Sequence, residues 1–209
     1  MEFILEKILI IPAILIAFTA QGYSKAKMAD KLGDKTPRFQ GRLSLSPFNH
    51  VDLIGFIMIL FIGFGWTKPV ETNPSAYKKG YKDSIKVTLA SLFSTLVVAF
   101  IASFIYVLLL RFESTLPISI SNIIILILWN VVVINVSLFI FNLLPLPGLA
   151  GFELLRELNP RKFYEISGVI YRYQFPMLIG IAALGGRILS IPTSFIVKTF
   201  INLVAFIIL

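Results

Sequence analysis

The sequence predicts an all-α polytopic membrane protein, and three observations lead to this fold class. Of its 209 residues, 57% are hydrophobic, and the mean hydropathy is +0.87. Soluble domains are only about 45–50% apolar. Five apolar runs are close to the roughly 20 residues that a helix needs to cross a bilayer. Lysine and arginine are concentrated in three of the segments between these runs. We expect a single membrane domain over residues 1–209.

The predicted spans follow the apolar runs along the chain. A shorter run, 51–66, is bounded by Pro47 and Pro69 and is interrupted by three glycines. It is short for a span, so we expect it to enter the bilayer and return on the same side, packed among the other helices. A sixth, short span is the alternative. The five long runs cover approximately residues 3–20, 86–110, 121–144, 166–186 and 190–209.

The distribution of basic residues predicts the orientation. Segments 21–50, 67–86 and 146–172 carry fifteen lysines and arginines, whereas the opposing loops carry only Arg111 and Arg187. By the positive-inside rule, the three basic segments are cytoplasmic. With five spans and a re-entrant 51–66, the N-terminus lies outside and the C-terminus in the cytoplasm. This asymmetry explains the net charge of +8 better than nucleic-acid binding does, so the bilayer is the expected partner.

Three separated motifs carry a resemblance to a known family. They are Asn142–Gly151 (NLLPLPGLAG), Lys31–Asp34 (KLGD) with the following Gln40–Gly55, and Gly65–Pro74 (GWTKPVETNP). In this order, they resemble the site-2 protease family of intramembrane zinc metalloproteases, in its small bacterial branch. The resemblance implies a site-2-protease-like helical core, a small strand-like element from the 51–66 region near the active site, and a location in the bacterial cytoplasmic membrane.

The resemblance also places the family's zinc site on this chain, where its residues are replaced. The His-Glu-x-x-His motif aligns with residues 21–25, so Gln21 and Lys25 stand at the histidine positions and Gly22 at the general base. The third ligand, an aspartate, aligns with Ala150. A catalytic zinc needs three protein ligands, and the chain has one histidine and no cysteine. We therefore expect no zinc cofactor and no catalytic residues.

Another family motif, an alanine-glycine-proline turn at the start of a core helix, is also changed and aligns with Ala90–Thr95.

The segment 21–25 has two interpretations: a retained polar pocket that holds a partner helix, or a solvated helix end whose lysines extend to lipid headgroups. A Ser24–Lys25 catalytic pair is disfavoured, because neighbouring positions on a helix do not face each other.

Other candidate residues also have two interpretations each. His50 and Asp52 are two residues apart and share a face if the chain is extended, which suits a structural polar pair better than a partial metal or proton site. Asn142 precedes Pro145 and Pro147. The resemblance implies that it holds an extended substrate backbone, and capping of a broken helix end is equally compatible with the sequence. The charged segment after residue 152 is expected to be a solvated helix face.

The leading hypothesis for function is a catalytically inactive site-2-protease-like protein, a pseudoprotease. It would bind another membrane protein or serve as a subunit of a membrane complex. An active intramembrane zinc metalloprotease that cleaves transmembrane segments is the main alternative. A transporter or channel component is a third, less favoured because the spans carry almost no charge, with Lys198 the clearest exception.

Overall fold

The structure is a computed structural model that describes residues 2–63, 65–112 and 117–208. Within these residues the fold is entirely helical, with two short 3₁₀ turns at Pro47–Asn49 and Pro74–Ala76. The α-helices are α1 (Glu2–Leu32), α2 (Thr36–Phe39), α3 (Leu53–Ile62), α4 (Tyr81–Arg111), α5 (Ile118–Asn142), α6 (Ala150–Leu158) and α7 (Pro160–Ile208).

In the part of the chain that the structure describes, four helices are long and apolar enough to cross a membrane: Ile4–Leu32, Tyr81–Arg111, Ile120–Asn142 and Ile188–Ile208. The prediction of a polytopic helical membrane protein is therefore confirmed. The predicted spans 3–20, 86–110 and 121–144 fall largely on α1, α4 and α5. Helix α1 continues well past the predicted end and stops where Gly33 adopts a φ of 116°, a conformation that glycine reaches without steric cost.

The two last predicted spans, 166–186 and 190–209, belong to one continuous helix, α7, which corrects the predicted break between them. Pro176 and Pro192 lie inside this helix, and a proline within a membrane helix is tolerated when neighbouring groups satisfy the freed carbonyl. At about 1.5 Å per residue, the 49 residues of α7 exceed the roughly 30 Å hydrocarbon core. The candidate span within α7 is Ile188–Ile208.

The direction of α7 decides where the chain ends. Phe163 contacts Phe152 of α6, and Phe200 contacts Phe100 in the middle of α4. Helix α7 therefore runs parallel to α4, and residue 208 lies at the same end of the bundle as Arg111. Helix α1 begins at this end too, because its other half reaches Asn142 at the opposite end of α5. Residues 2 and 208 thus lie at the same end of the bundle, whereas the sequence predicted the two termini on opposite sides of the membrane.

The core lies between α1, α4 and α5. It is built from small and β-branched side chains, which let the helices approach closely. Its fully or almost fully buried members include Ala13, Ile14, Ala17, Phe18, Ala99, Ala102, Val131, Val132 and Val136, with Val197 of α7 packed against them.

Helix α3 and the described chain that returns after it, residues 65–68, form a hairpin whose ends lie together. Asp52 caps α3 by accepting a hydrogen bond from the Gly55 amide at 2.8 Å, and α3 ends where Gly63 has a φ of 91°. The returning chain packs so tightly that a Cβ on Gly55 would overlap the Trp66 carbonyl. The Lys68 amide then donates to the His50 carbonyl at 2.9 Å. Both ends of the segment are therefore adjacent.

The strand-like element that the resemblance implied in this region is instead the ten-residue helix α3. No strand is present in the part of the chain that the structure describes. The sequence of α3, LIGFIMILFI, is continuously apolar, and it lacks the alternation of a half-buried strand. Its backbone groups are also satisfied within the helix, as membrane depth requires.

Candidate functional site

A small polar cavity of about 70 Å³ lies where α1, α4, the start of α6 and the chain after Trp66 meet. All four positions that the resemblance assigned to the zinc site line this cavity, although Lys25 and Ala150 are far apart in sequence. The placement of the motifs on the chain is therefore consistent in space. The lining residues are Gln21, Gly22, Lys25, Trp66, Thr67, Pro69, Val70, Ser91, Asn142, Gly148, Ala150 and Glu153.

An amide pair closes one side of the cavity. Gln21 Nε2 donates to Asn142 Oδ1 at 3.0 Å, and Asn142 Nδ2 donates to the Leu138 carbonyl at 2.8 Å. Both side chains are buried. Asn142 thus bonds a carbonyl one turn back in α5 and also contacts α1. The nearby Pro147 lines a separate apolar cavity of about 240 Å³, and Pro145 is exposed.

An ion pair closes the opposite side. Lys25 Nζ lies 2.7 Å from both carboxylate oxygens of Glu153, and only 14% and 27% of the two side chains are exposed. Residues 21–25 are therefore not a solvated helix end, and the interpretation as a polar pocket agrees with the geometry. Ser24 lines a different groove of the protein, so it does not face the cavity with Lys25.

Glu153 was not identified as a site residue from the sequence, where it belonged to a charged segment expected to be solvated. The sequence feature that could have identified Glu153 is its position one helical turn after Ala150. If Ala150 and Lys25 meet at the family's zinc position, a carboxylate three residues further along α6 is within reach of the lysine.

A second carboxylate, Glu157, lies behind the ion pair and is 6% exposed. Ser84 Oγ donates to Glu157 Oε1 at 2.5 Å, and Thr88 Oγ1 lies 3.3 Å from the other oxygen. Burial raises the pKa of Glu157 above its usual value, which the hydrogen bond from Ser84 partly offsets. Hydroxyl groups of α4 therefore support both carboxylates of α6, because Thr88 also reaches Glu153.

The position of the family's general base is occupied by an imidazole from another segment. A Cβ on Gly22 would overlap Nδ1 of His50, whose side chain is fully buried. His50 Nε2 lies 2.7 Å from the Ser44 carbonyl. A carbonyl only accepts hydrogen bonds, so Nε2 carries the proton and Nδ1 faces Gly22 as a lone pair. Burial lowers the pKa of His50 and favours this neutral form.

The predicted polar pair of His50 and Asp52 has separate partners. Asp52 caps α3, and His50 binds the Ser44 carbonyl and packs on Gly22. The chain turns through Pro47–Asn49 and then caps a helix, so the two residues are not on one extended strand. Among the described residues, His50 Nδ1 is a buried nitrogen with no hydrogen-bond partner.

The remaining family-like motifs hold the wall of the cavity in place. The buried Asp34 accepts hydrogen bonds from the backbone amides of Thr36 at 2.9 Å and Asn73 at 2.7 Å. Arg42 donates to the carbonyls of Asn49 and Pro69. These contacts tie the Gly65–Pro74 segment to the loop after α1, and they position Thr67 and Val70 at the cavity.

The groups around the cavity do not fit a zinc ion. Alanine has no donor atom, the Lys25 ammonium repels a cation, and the Gln21 amide is engaged with Asn142. Zinc binds thiolate, imidazole and carboxylate ligands. In the described residues, no group of three or more histidine, cysteine, aspartate or glutamate side chains could hold a metal ion.

Sequence comparison identifies the family. Over 147 residues, which are 70% of this chain and 67% of the relative, the chain is 36% identical to a protein of Bacillus subtilis (strain 168) described as "Putative zinc metalloprotease YwhC". The chain belongs to the site-2 protease family. No protein-family model matches this family member, and no solved structure matches it.

Proposed function

We propose that this site-2 protease family member is a pseudoprotease that binds a membrane-protein partner without cleaving it. The observation that carries the proposal is the content of the cavity. The four positions of the family's zinc and base are occupied by an amide, a glycine packed on an imidazole, an ammonium and a methyl group. Hydrolysis by this family's chemistry needs a metal-bound water and a general base.

The ion pair between Lys25 and Glu153 supports the same proposal. An active member of the family holds a divalent cation at this place. Here the Lys25 ammonium supplies a positive charge, and Glu153 neutralises it at 2.7 Å. Replacement of a metal ion by the Lys25 ammonium keeps a positive charge inside the polar cavity and removes the Lewis acid. The cavity is thus a self-contained polar cluster and not a metal site with missing ligands.

An active intramembrane metalloprotease is the second candidate, and the resemblance to a protein described as a zinc metalloprotease favours it. We expect the purified protein to contain no stoichiometric zinc after dialysis against a zinc-buffered solution. The matched control is Gln21→His/Lys25→His/Ala150→Asp, which restores three ligands and is expected to retain zinc. Elemental analysis measures both. Zinc bound to the unaltered protein at one ion per chain would exclude the pseudoprotease proposal.

Partner binding is tested from inside the cavity. A photocrosslinking amino acid at Thr67 is expected to form an adduct with a protein in native membranes, whereas the same group at the lipid-facing Ile101 is not. Gln21→Leu/Asn142→Leu removes both members of the amide pair, so folding is expected to change little. The adduct at Thr67 should weaken at least about fivefold in this variant, about 1 kcal/mol. If the adduct were the same with and without the amide pair, the cavity would have no role in partner binding.

We also propose that the 32–53 and 66–81 regions face the bacterial cytoplasm, that 51–66 does not cross the bilayer, and that residues 2 and 208 lie on the outer side. The paired ends of the α3 hairpin support this, as does the charge distribution. The native chain has no cysteine, so single cysteines report cleanly. We expect Lys78→Cys to be protected from an impermeant reagent in intact cells and Arg111→Cys to react. Labelling of Lys78→Cys from outside would contradict this topology.

A further inference from the structure

A second concave surface lies between α1 and α4 and opens away from the polar cavity. The two lie on opposite faces of the α1–α4 pair, since Ser91 donates to the Gln21 carbonyl on the cavity side at 3.3 Å while Ala90, Phe93 and Ser94 face the groove. The groove has a volume of about 580 Å³. It is lined by Ala20, Tyr23, Ser24, Lys27, Met28, Lys31, Ala90, Phe93, Ser94, Val97 and Val98.

Polar and apolar groups are separated along the length of this groove. Lys27 and Lys31 lie one helical turn apart near the end of α1, where α1 packs beside the beginning of α4 through Ala29 and Val87. Towards the middle of the membrane the lining becomes Phe93, Val97 and Val98. The charged end therefore lies at the level of the proposed cytoplasmic surface and the apolar end at acyl-chain depth.

The two lysines are not neutralised by carboxylates within the described residues. The nearest acid on the same helix, Asp30, binds Arg38 at 2.8 Å and Lys35 at 3.2 Å. Lys27 and Lys31 are both exposed, and the hydroxyl groups of Tyr23 and Ser24 lie on the same groove wall. The charged end of the groove thus presents two cations and two hydroxyl groups that can donate hydrogen bonds.

We propose that this groove binds one anionic phospholipid of the cytoplasmic leaflet. Lys27 and Lys31 pair with the phosphate, Tyr23 and Ser24 donate to the headgroup, and an acyl chain lies against Phe93, Val97 and Val98. Basic pockets between membrane helices on the cytoplasmic side suit anionic headgroups. A phospholipid has its charge and its chain at the two ends that this groove separates, whereas an apolar partner helix would leave two lysines unpaired. The proposal does not depend on the fate of the zinc site.

The test uses the purified full chain in detergent, titrated with phosphatidylglycerol or with phosphatidylcholine of the same acyl chains, and native mass spectrometry counts the bound lipid. We expect one phosphatidylglycerol per chain, bound at least about tenfold more tightly than phosphatidylcholine. Lys27→Gln/Lys31→Gln should remove this preference. The control Lys78→Gln/Lys79→Gln removes the same charge from exposed cytoplasmic positions outside the groove and should keep it.

Two further measurements make the outcome decisive. Ala90→Phe fills the apolar part of the groove and leaves the lysines, so it should weaken phosphatidylglycerol binding at an unchanged melting temperature. Inorganic phosphate should compete poorly, because it has no chain. The proposal is overturned if both lysine variants lose binding equally, if the two lipids bind alike, or if inorganic phosphate displaces the lipid completely.

Discussion

Gly22→Glu is expected to destabilise the protein by about 3 kcal/mol or more instead of restoring a general base. The new Cβ would overlap Nδ1 of the fully buried His50. The carboxylate would also be buried beside Nδ1 of His50, which has no hydrogen-bond partner and offers a lone pair instead of a proton. The milder Gly22→Ala introduces only the steric conflict and should cost about 1–3 kcal/mol. Thermal melting of the detergent-solubilised protein measures both changes.

The control for this prediction is another helical glycine. Gly168 lies inside α7, and nothing lies within 4 Å of a Cβ built on it. Gly168→Ala should therefore leave stability unchanged or raise it by up to about 1 kcal/mol, because alanine is the better helix former. His50→Ala should relieve part of the loss in Gly22→Glu. If Gly22→Ala were as stable as Gly168→Ala, the close packing of Gly22 on His50 would be refuted.

This contact bears on the proposed loss of the general base. A glycine at a catalytic position can leave a vacant pocket that a single substitution refills. Here the imidazole of His50 takes up the space, held by the Ser44 carbonyl at 2.7 Å. Return to a catalytic arrangement would require changes in two segments, at residue 22 and around residue 50. We infer that the site is adapted to its present residues.

The sequence could assign positions to the family's zinc site because the family motifs fix distances along the chain, and the function of these positions stays a prediction. Gln21, Gly22, Lys25 and Ala150 were assigned by counting from motifs, and they line one cavity. The same argument could not identify Glu153 or Glu157. On a helix with mixed charges, solvation is the default interpretation, and only the packing of α6 on α4 places these carboxylates against Ser84 and Thr88.

The sequence predicted some helices of the fold correctly and missed others. Helices α1, α4 and α5 follow from apolar runs of sufficient length, and the four candidate spans bear out the membrane assignment. The continuity of α7 did not follow, because a Gly-Gly-Arg sequence near position 186 and Pro192 resemble a turn between two spans. The helix of α3 was also missed, since a short apolar run fits a buried strand or a helix equally well.

Asn142 bonds the Leu138 carbonyl one turn back in α5, and it pairs with Gln21 of α1. Its role in holding an extended substrate backbone stays a prediction. Asn142→Leu alone would leave the buried Gln21 amide without this partner, at a cost of about 1–3 kcal/mol. The single variant therefore confuses folding with binding, which is why the double variant with Gln21→Leu is the appropriate test of the cavity.

Lys25→Met is expected to destabilise the protein by about 2–3 kcal/mol. Breaking a fully buried ion pair costs about 3–5 kcal/mol, because the remaining charge is left without compensation. Partial exposure of Lys25 and Glu153, 14% and 27%, reduces that cost. The orphaned carboxylate of Glu153 would also lie beside Glu157, on the same helix face four residues away, and like charges at this spacing repel. Glu153→Gln should cost a similar amount, since it leaves the ammonium unpaired.

The double variant Lys25→Met/Glu153→Met distinguishes the contribution of the ion pair to stability from the contribution of each residue alone. If the ion pair substitutes for a metal by neutralising its own charges, removing both should return stability to within about 1 kcal/mol of the unaltered protein. Lys78→Met, at an exposed position, serves as the control and should change stability by less than about 0.5 kcal/mol. Additive losses in the double variant would mean that each residue acts separately, and Lys25 and Glu153 would then not neutralise each other.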